Sequence, residues 1–538
     1  MHRRPAHPAG QLKLYLRQGD DWSCRAQRGC RNFLVVIEVV TESVPHPDGV
    51  TDPSHRGVGR DLIGRLQAIC GPEHVITHTH DLHAYRSDGL LYYATVPAVA
   101  VLPSSTAETQ AVVRACHEAR VPWVARGAGS GLSGGALPLA NGVLLVLTRM
   151  NRILEVDLDN HRVVVEPGVA NLAVSDAVGP GFFYPPDPSS QTVCSIGGNI
   201  AENSGGAHCF KYGFTTNYVL ALEVVLPNGE LVHLGGRGEA DFPGYDLLGA
   251  FVGSEGTLGV ATRVTLRVIP VPEHTKTLVA FFDGVIAAAA ATSAIVAAGL
   301  TPAAIEMMDA LAISASEQMA HAGWPSAAGA ALLVELDGTQ ADCEAGFREL
   351  EDLCRASGST EIRVASSAAE RAVFWKMRKA AFPAAGRISG RYYVQDGVIP
   401  RTRLPEVLAK VEELATAYGL KVANVFHAGD GNLHPMVCYR DENEAERAAE
   451  LASLILQACL DAGGSITGEH GVGVDKKAYM PRMFSEPDLA AFQKLRCAFD
   501  PDGLANPGKV MPTPRLCGEV PGPNRVHPLE AAGLAERF

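Results

Sequence analysis

The stretch Arg126-Gly127-Ala128-Gly129-Ser130-Gly131-Leu132-Ser133-Gly134-Gly135 follows an apolar run, Val121-Pro122-Trp123-Val124-Ala125, and carries the spacing GxGxxG at Gly129, Gly131 and Gly134. After a strand, that spacing is the fingerprint of a doubly wound dinucleotide fold, in which a helix opens at the loop and crosses back over the sheet. Here the context fails. Pro138, Asn141 and Gly142 come at once, and the next apolar run starts at Val143, so there is no room for a crossover helix. The loop is expected to cradle an anion with its backbone N–H groups and no helix behind it. A dinucleotide site outside the Rossmann class follows.

Working outward, 99–103 reads as a buried strand and 105–120 as a helix opened by Thr106 and Glu108. Strands continue at 143–147 and 163–166. A second region dense in Gly, Asn and Ser covers 185–190, 195–199 and 202–206, and Lys211-Tyr212-Gly213 and 252–259 repeat the style. So many small and polar residues suit backbone lying against a ligand better than a core, where polar groups would be stranded. Upstream, a helix from Asp61 leads to a strand at Val75-Ile76. His74, His78, His80 and His83 crowd there, but their spacing matches no metal site and an exposed strand edge explains them. Residues 1–55 are Arg-rich with one apolar run at 33–40. They read as a poorly ordered extension, or a transit peptide, on which function does not depend.

The second half has another character. Strands at 277–282, 303–308, 331–336, 361–364 and 392–399 alternate with helices at 285–298, 341–356 and 405–418, the pattern of a ferredoxin-like α+β sheet. Phe374-Trp375-Lys376-Met377-Arg378-Lys379 continues a helix. Arg378 and Lys379 can bind a carboxylate there, or form a solvated basic face. In Val425-Phe426-His427-Ala428-Gly429-Asp430-Gly431-Asn432-Leu433-His434-Pro435, two histidines flank a turn between apolar runs, and a hairpin of that length returns both imidazoles to one point. A helix at 446–462 delivers Thr467-Gly468-Glu469-His470-Gly471-Val472-Gly473. Two His and one Glu make a metal site with an open position, leaving His470 to move a proton. Taken singly, each histidine reads as a surface or core residue; the four residues together read as a site.

At 538 residues the chain exceeds one ordinary core and implies at least two domains. Its 47% hydrophobic and 20% charged residues describe a globular protein, and a net charge of −13 with no dense basic stripe argues against nucleic acid. The 12 Cys are scattered, without CxxC. That suits reduced thiols in a cytoplasmic protein and excludes a cysteine-ligated iron–sulfur cluster of the usual spacing. No apolar run approaches a spanning helix.

This order of motifs resembles the FAD-linked 2-hydroxy-acid dehydrogenases, whose flavin domain is of the vanillyl-alcohol-oxidase (PCMH) type. The resemblance covers roughly 60–515, closing on Phe499-Asp500-Pro501 through Asn506-Pro507-Gly508-Lys509, and continues loosely to Glu536-Arg537-Phe538. It implies an FAD domain of two α+β subdomains over 95–274, a helical lead-in at 56–94, a ferredoxin-like cap at 275–500, and a return to the FAD domain with a tail at 501–538. It implies a pyrophosphate loop at Arg126, Gly127, Ala128, Gly129, Ser130, Gly131, Ser133 and Gly134. Further flavin contacts are implied at Pro186, Asp187, Gly197, Gly198, Asn199, Glu202, Asn203, Gly205, Gly206, Tyr212, Gly213 and Asn506. The first loop has neither His nor Cys, so the FAD is expected to be non-covalent. By the same resemblance His427, His434 and Glu469 fall on ligands of a divalent metal (zinc, with manganese or iron as alternatives), His470 on the proton acceptor and Arg378 on the carboxylate site. Relatives taking long dicarboxylates carry a lysine near Val394, absent here. The implied reaction is oxidation of glycolate, and D-lactate, to the 2-oxo acid with hydride to flavin N5. The implied partners are an iron–sulfur subunit and a second FAD-domain subunit passing electrons to quinone at the inner face of the membrane. The rivals are a stand-alone D-lactate dehydrogenase, a flavin relay subunit without substrate chemistry, and non-redox flavin use.

Overall fold

The computed structural model describes residues 57–236 and 244–512; the extension at 1–55 and the terminal Glu536-Arg537-Phe538 lie outside the described residues. The chain begins with helix α1 (Arg60–Cys70), strand β1 (Val75–Ile76), strand β2 (Val99–Val101) and helix α2 (Thr106–Glu118). Ser105 caps α2 by accepting from the Glu108 N–H at 3.2 Å, while the Glu108 side chain takes the Ser104 N–H at 2.7 Å, so both ends of that turn are satisfied. Strands β3 (Trp123–Arg126) and β4 (Val143–Val146) complete a sheet of order β1-β2-β4-β3. β3 and β4 are parallel neighbours joined without a helix, as the proline and glycine after the loop require. β4 is buried along its whole length, which accounts for its unbroken apolar sequence.

Next come β5 (Ile153–Asp157), β6 (Arg162–Val165), helix α3 (Ile196–Glu202), β7 (Val219–Val225), β8 (Leu231–Gly235) and β9 (Val260–Arg267). They form a second sheet of order β5-β6-β9-β7-β8. Two expectations are corrected here. The Gly-rich stretch at 196–202 is helical, capped by Ser195 Oγ accepting from the Gly198 N–H at 3.3 Å. That helix also stands behind the 126–135 loop, which was expected to have none: Ser195 Oγ lies 3.4 Å from the Ala128 N–H, and a Cβ on Gly127 would come within 1.9 Å of it. The supporting helix comes from some sixty residues downstream, so a motif confined to consecutive residues misses it.

The second half is one large, mainly antiparallel sheet. Its elements are β10 (His274–Phe282), α4 (Val285–Ala297), β11 (Ala304–Asp309), β12 (Ala330–Gly338), α5 (Gln340–Ala356), β13 (Glu361–Val364), α6 (Ala368–Lys379), β14 (Arg391–Val394), β15 (Gly397–Val398), α7 (Leu404–Tyr418), β16 (Lys421–His427), β17 (Asn432–Leu433), β18 (Pro435–Tyr439) and α8 (Glu442–Asp461). The order is β13-β10-β12-β11-β16-β17-β15, with β14 on β18 and β18 on β16. Helices cover both faces. Leu278, Ala280 and Phe282 join one core with Phe347, Leu408 and Ile455, while Val279 and Phe281 join another with Phe374 and Met436. The single strand expected over 392–399 is two, β14 and β15, broken at Gln395-Asp396. The segment after residue 500 returns to the first sheet: Ala505 bridges Trp123, with the Trp123 N–H on Leu504 O at 2.9 Å and the Asn506 N–H on Trp123 O at 2.8 Å. Among the described residues no helix is long and apolar enough to cross a membrane.

Candidate active site

A cavity of about 340 Å³ runs between the 126–132 loop, helix α3 and the 467–473 loop. Arg126, Gly127, Ala128, Gly129, Ser130 and Gly131 form one wall, and Gly197, Gly198, Asn199 and Glu202 another. Gly129 has φ +72°, a left-handed conformation that favours glycine, and a Cβ there would strike the Arg126 guanidinium at 2.2 Å. That guanidinium donates to Ser87 O at 2.7 Å, tying the loop to the preceding segment.

Glu469 and His470 line the far end of the same cavity. Opposite them, the end of β16 and the residue between β17 and β18 bring His427 and His434 together, with ring centroids 5.1 Å apart and perpendicular. His427 Nε2 lies 3.2 Å and His434 Nε2 3.1 Å from Glu469 Oε1. All three side chains are buried, and their ligating atoms lie within 4.8 Å of one another. Behind them, Glu306 on β11 takes His427 Nδ1 at 2.6 Å with one oxygen and Arg378 Nε at 2.6 Å with the other. The first oxygen thereby leaves His427 Nε2 as the outward-facing nitrogen. Burial alone would raise the carboxyl of Glu306, but Arg378 and His427 outweigh it and hold it below its ordinary range. Glu469 and Asp396 are likewise held low against their burial, Glu469 by His427 and Asp396 by His470 and Lys476. Burial pushes His470 down to about 4, so it stands neutral and able to accept a proton.

The sequence matches the family described as FAD linked oxidases, C-terminal domain, over residues 271–510, and an FAD binding domain over 97–235. It is 48% identical to the glycolate oxidase subunit GlcD of Escherichia coli over 85% of this chain and 92% of that protein. The chain belongs to the FAD-linked oxidase family. It is 37% identical to GlcD of Bacillus subtilis (84% of this chain, 97% of that one) and 33% identical to a D-lactate dehydrogenase of Anaerostipes hadrus (86% and 99%). Among solved structures, p-cresol methylhydroxylase superposes with TM-score 0.72 over 86% of this chain and 98% of its own, and an alkyldihydroxyacetonephosphate synthase with 0.67 over 86% and 87%, each at 18% identity. These structures show the PCMH-type FAD fold; the family models and the GlcD relatives show an FAD-dependent hydroxy-acid oxidoreductase.

Within this FAD-linked oxidase the residues expected at the cofactor divide into two groups. Those of the loop and of α3 line the cavity. Pro186, Asp187, Asn203, Gly205, Gly206, Tyr212, Gly213, Ser133, Gly134 and Asn506 do not appear on its wall and several brace it instead. Asn506 Nδ2 donates to Gly135 O at 3.0 Å and Glu255 O at 2.6 Å, Tyr212 donates to Asp337 at 2.6 Å, and Asp187 holds His208. Arg378 is not on a solvated face. It is buried on Glu306, leaving Nη2 as an unpartnered nitrogen, and its neighbour Lys379 reaches the cavity. Residues not singled out from sequence include Cys194, Phe382, Glu306 and Asp396, none of which lies in a local motif; Ser195 and Glu255 lie within the glycine-rich stretches 195–199 and 252–259, where nothing local gives them a role of their own.

The chain's own residues fit the FAD of the family and offer a place for a metal ion. For a metal, His434 Nδ1 and Glu469 Oε2 are buried without a hydrogen-bond partner, and His434 Nε2 faces only the carboxylates of Glu469 and Asp396, the surroundings of atoms reserved for something else. Around them the carboxylates of Glu306, Asp396 and Glu469 face two fixed cations, Arg378 and Lys476, and against its burial Glu306 and Glu469 draw His427 toward its protonated form, a positive charge that a metal ion would replace. For FAD, glycines line the cavity where the backbone must lie close to the ligand.

Proposed function

We propose that this chain oxidises a small 2-hydroxy acid, glycolate first and D-lactate second, to the 2-oxo acid. The observation that carries this reading is the convergence of His427, His434, Glu469 and His470 at one end of the flavin cavity; the names of the relatives point the same way. Residues 95–274 would hold the cofactor non-covalently and 275–500 cap it. Bound FAD supplies a two-electron oxidant. His427, His434 and Glu469 would hold a divalent cation, zinc or else manganese or iron, which would supply Lewis acidity toward the substrate hydroxyl. Arg378 Nη2 pairs with the substrate carboxylate and orients it. His470, neutral in its buried setting, takes the hydroxyl proton. Onward electron transfer would run to an iron–sulfur subunit and a second FAD-domain subunit at the membrane's inner face; the relatives named as subunits of a glycolate oxidase support a multi-subunit assembly.

The test is anaerobic addition of glycolate, then D-lactate, to the FAD-loaded chain while following visible flavin absorbance. Bleaching is expected, faster with the true substrate. An unchanged spectrum with metal present would favour the relay reading or a site completed only in the complex. Acid precipitation should release the flavin into solution; yellow colour retained in the pellet would show attachment, for which Cys194 on the cavity wall is the thiol in place.

A further inference from the structure

Asp396 sits in the two-residue break between β14 and β15, wholly buried. Its Oδ2 accepts from Thr467 Oγ1 at 2.5 Å, the Gly468 N–H at 3.0 Å, the His470 N–H at 2.9 Å and Lys476 Nζ at 3.3 Å, with the Glu469 N–H at 3.2 Å. One side chain thus takes three successive amides of the loop that carries Glu469 and His470. Glu255, from the first half of the chain, takes two amides beyond Gly471, Val472 at 2.6 Å and Gly473 at 2.7 Å.

Asp396 also lies within ligating distance of His434 and His470, so it can be read as a metal ligand. Its two oxygens are used differently. Oδ2 is saturated by its donors, while Oδ1 takes only the Glu469 N–H at 3.3 Å and lies 3.4 Å from His434 Nε2; Oε2 of Glu469 has no partner at all. Asp396 grips the backbone and leaves the Glu469 and His470 side chains free to face the cavity.

We propose that Asp396 is the positioning residue of the 467–470 loop, holding Glu469 opposite the hairpin histidines and His470 at the cavity. The role of Glu469 and His470 rests on the proposed function; the grip on the loop does not. Removing the side chain frees three amides in one place, so the effect is local and separates from global unfolding.

The test compares full-length, FAD-loaded wild type with Asp396→Ala and Asp396→Asn, by amide hydrogen exchange resolved on 467–473 in metal-stripped protein, then by metal content and steady-state kinetics after reloading with zinc. Asp396→Ala should speed exchange in that segment by about tenfold or more, leave the other segments unchanged, and lower metal content and kcat by about 10–100-fold with KM little altered. Asp396→Asn, which keeps an acceptor, should recover much of the protection and part of kcat. Because either change strands the buried Lys476, the double variant Asp396→Asn with Lys476→Met removes both charges and should show the same local pattern. Unchanged exchange at 467–473, or exchange raised across the whole chain, overturns the proposal. A wild type that reduces no flavin with glycolate or D-lactate overturns the proposed function alone, since the exchange result still reads the grip of Asp396.

Discussion

At the scale of single residues, His470 is the group on which turnover should depend. His470→Ala is expected to retain FAD and lose about 10²–10⁴-fold in kcat, the usual worth of a positioned general base. Its pH behaviour has a definite sign. Burial depresses its pKa to about 4, and a nearby cation pushes the same way, so the base stays deprotonated down to about pH 4 and the acid limb of kcat should fall there rather than near 6.5. The same depression means that folding loses stability as pH drops from the unfolded value toward 4, because only the unfolded chain takes up that proton. Glu306 is the other decisive side chain. Glu306→Gln removes the charge that orients His427 and pairs Arg378, and should weaken metal retention by about 10–100-fold, read by metal analysis of the purified variant. His427, His434, Glu469 and His470 could be picked out because two short motifs hold them. Glu306 could not, since its partners lie 72 and 121 positions away and nothing adjacent marks it.

At the scale of elements, the hairpin depends on Gly431. It has φ +80°, and a Cβ would lie 2.2 Å from Ile399 O. Gly431→Ala should cost about 1–3 kcal/mol in strain and splay the β17–β15 pairing, giving a lower Tm and less bound metal. The turn was readable from its Gly, Asp and Asn, because turn chemistry is local. The break between β14 and β15 was not readable. Apolar residues run through 392–399, and only the distant loop that Asp396 holds shows why the strand interrupts. The capped helix at 196–202 was likewise hidden by its glycines, whose low propensity is overridden by Ser195 and by packing against the 126–135 loop.

At the scale of the molecule, a buried seam joins the half that holds the glycine-rich loops to the half that holds the histidines. His208 Nδ1 meets Asp187 at 2.7 Å and Nε2 approaches Glu335 at 3.4 Å, while Arg371 and Trp375 reach the same Glu335. Nearby, Tyr212 and Lys211 both bond Asp337. Burial opposes charge on His208, but Asp187 and Glu335 outweigh it and push its pKa up to about 10. The seam's contribution is therefore complete below the unfolded value of 6.5 and lost as pH rises through about 10. His208→Gln should lower Tm at neutral pH, with the gap from wild type closing above about pH 10 in a thermal-melt series. What the sequence alone determined is what lies within a few turns of chain: the failed Rossmann context, the strand and helix pattern of each half, and two motifs rich in His and Glu. Tertiary structure alone decided which helix stands behind the first loop, which carboxylate orients His427, what Asp396 grips, and that Arg378 is buried rather than solvated. Local patterns record backbone preference and the alternation of burial. The environment of a buried charge is set by partners tens to hundreds of residues away, and only the folded chain brings those together.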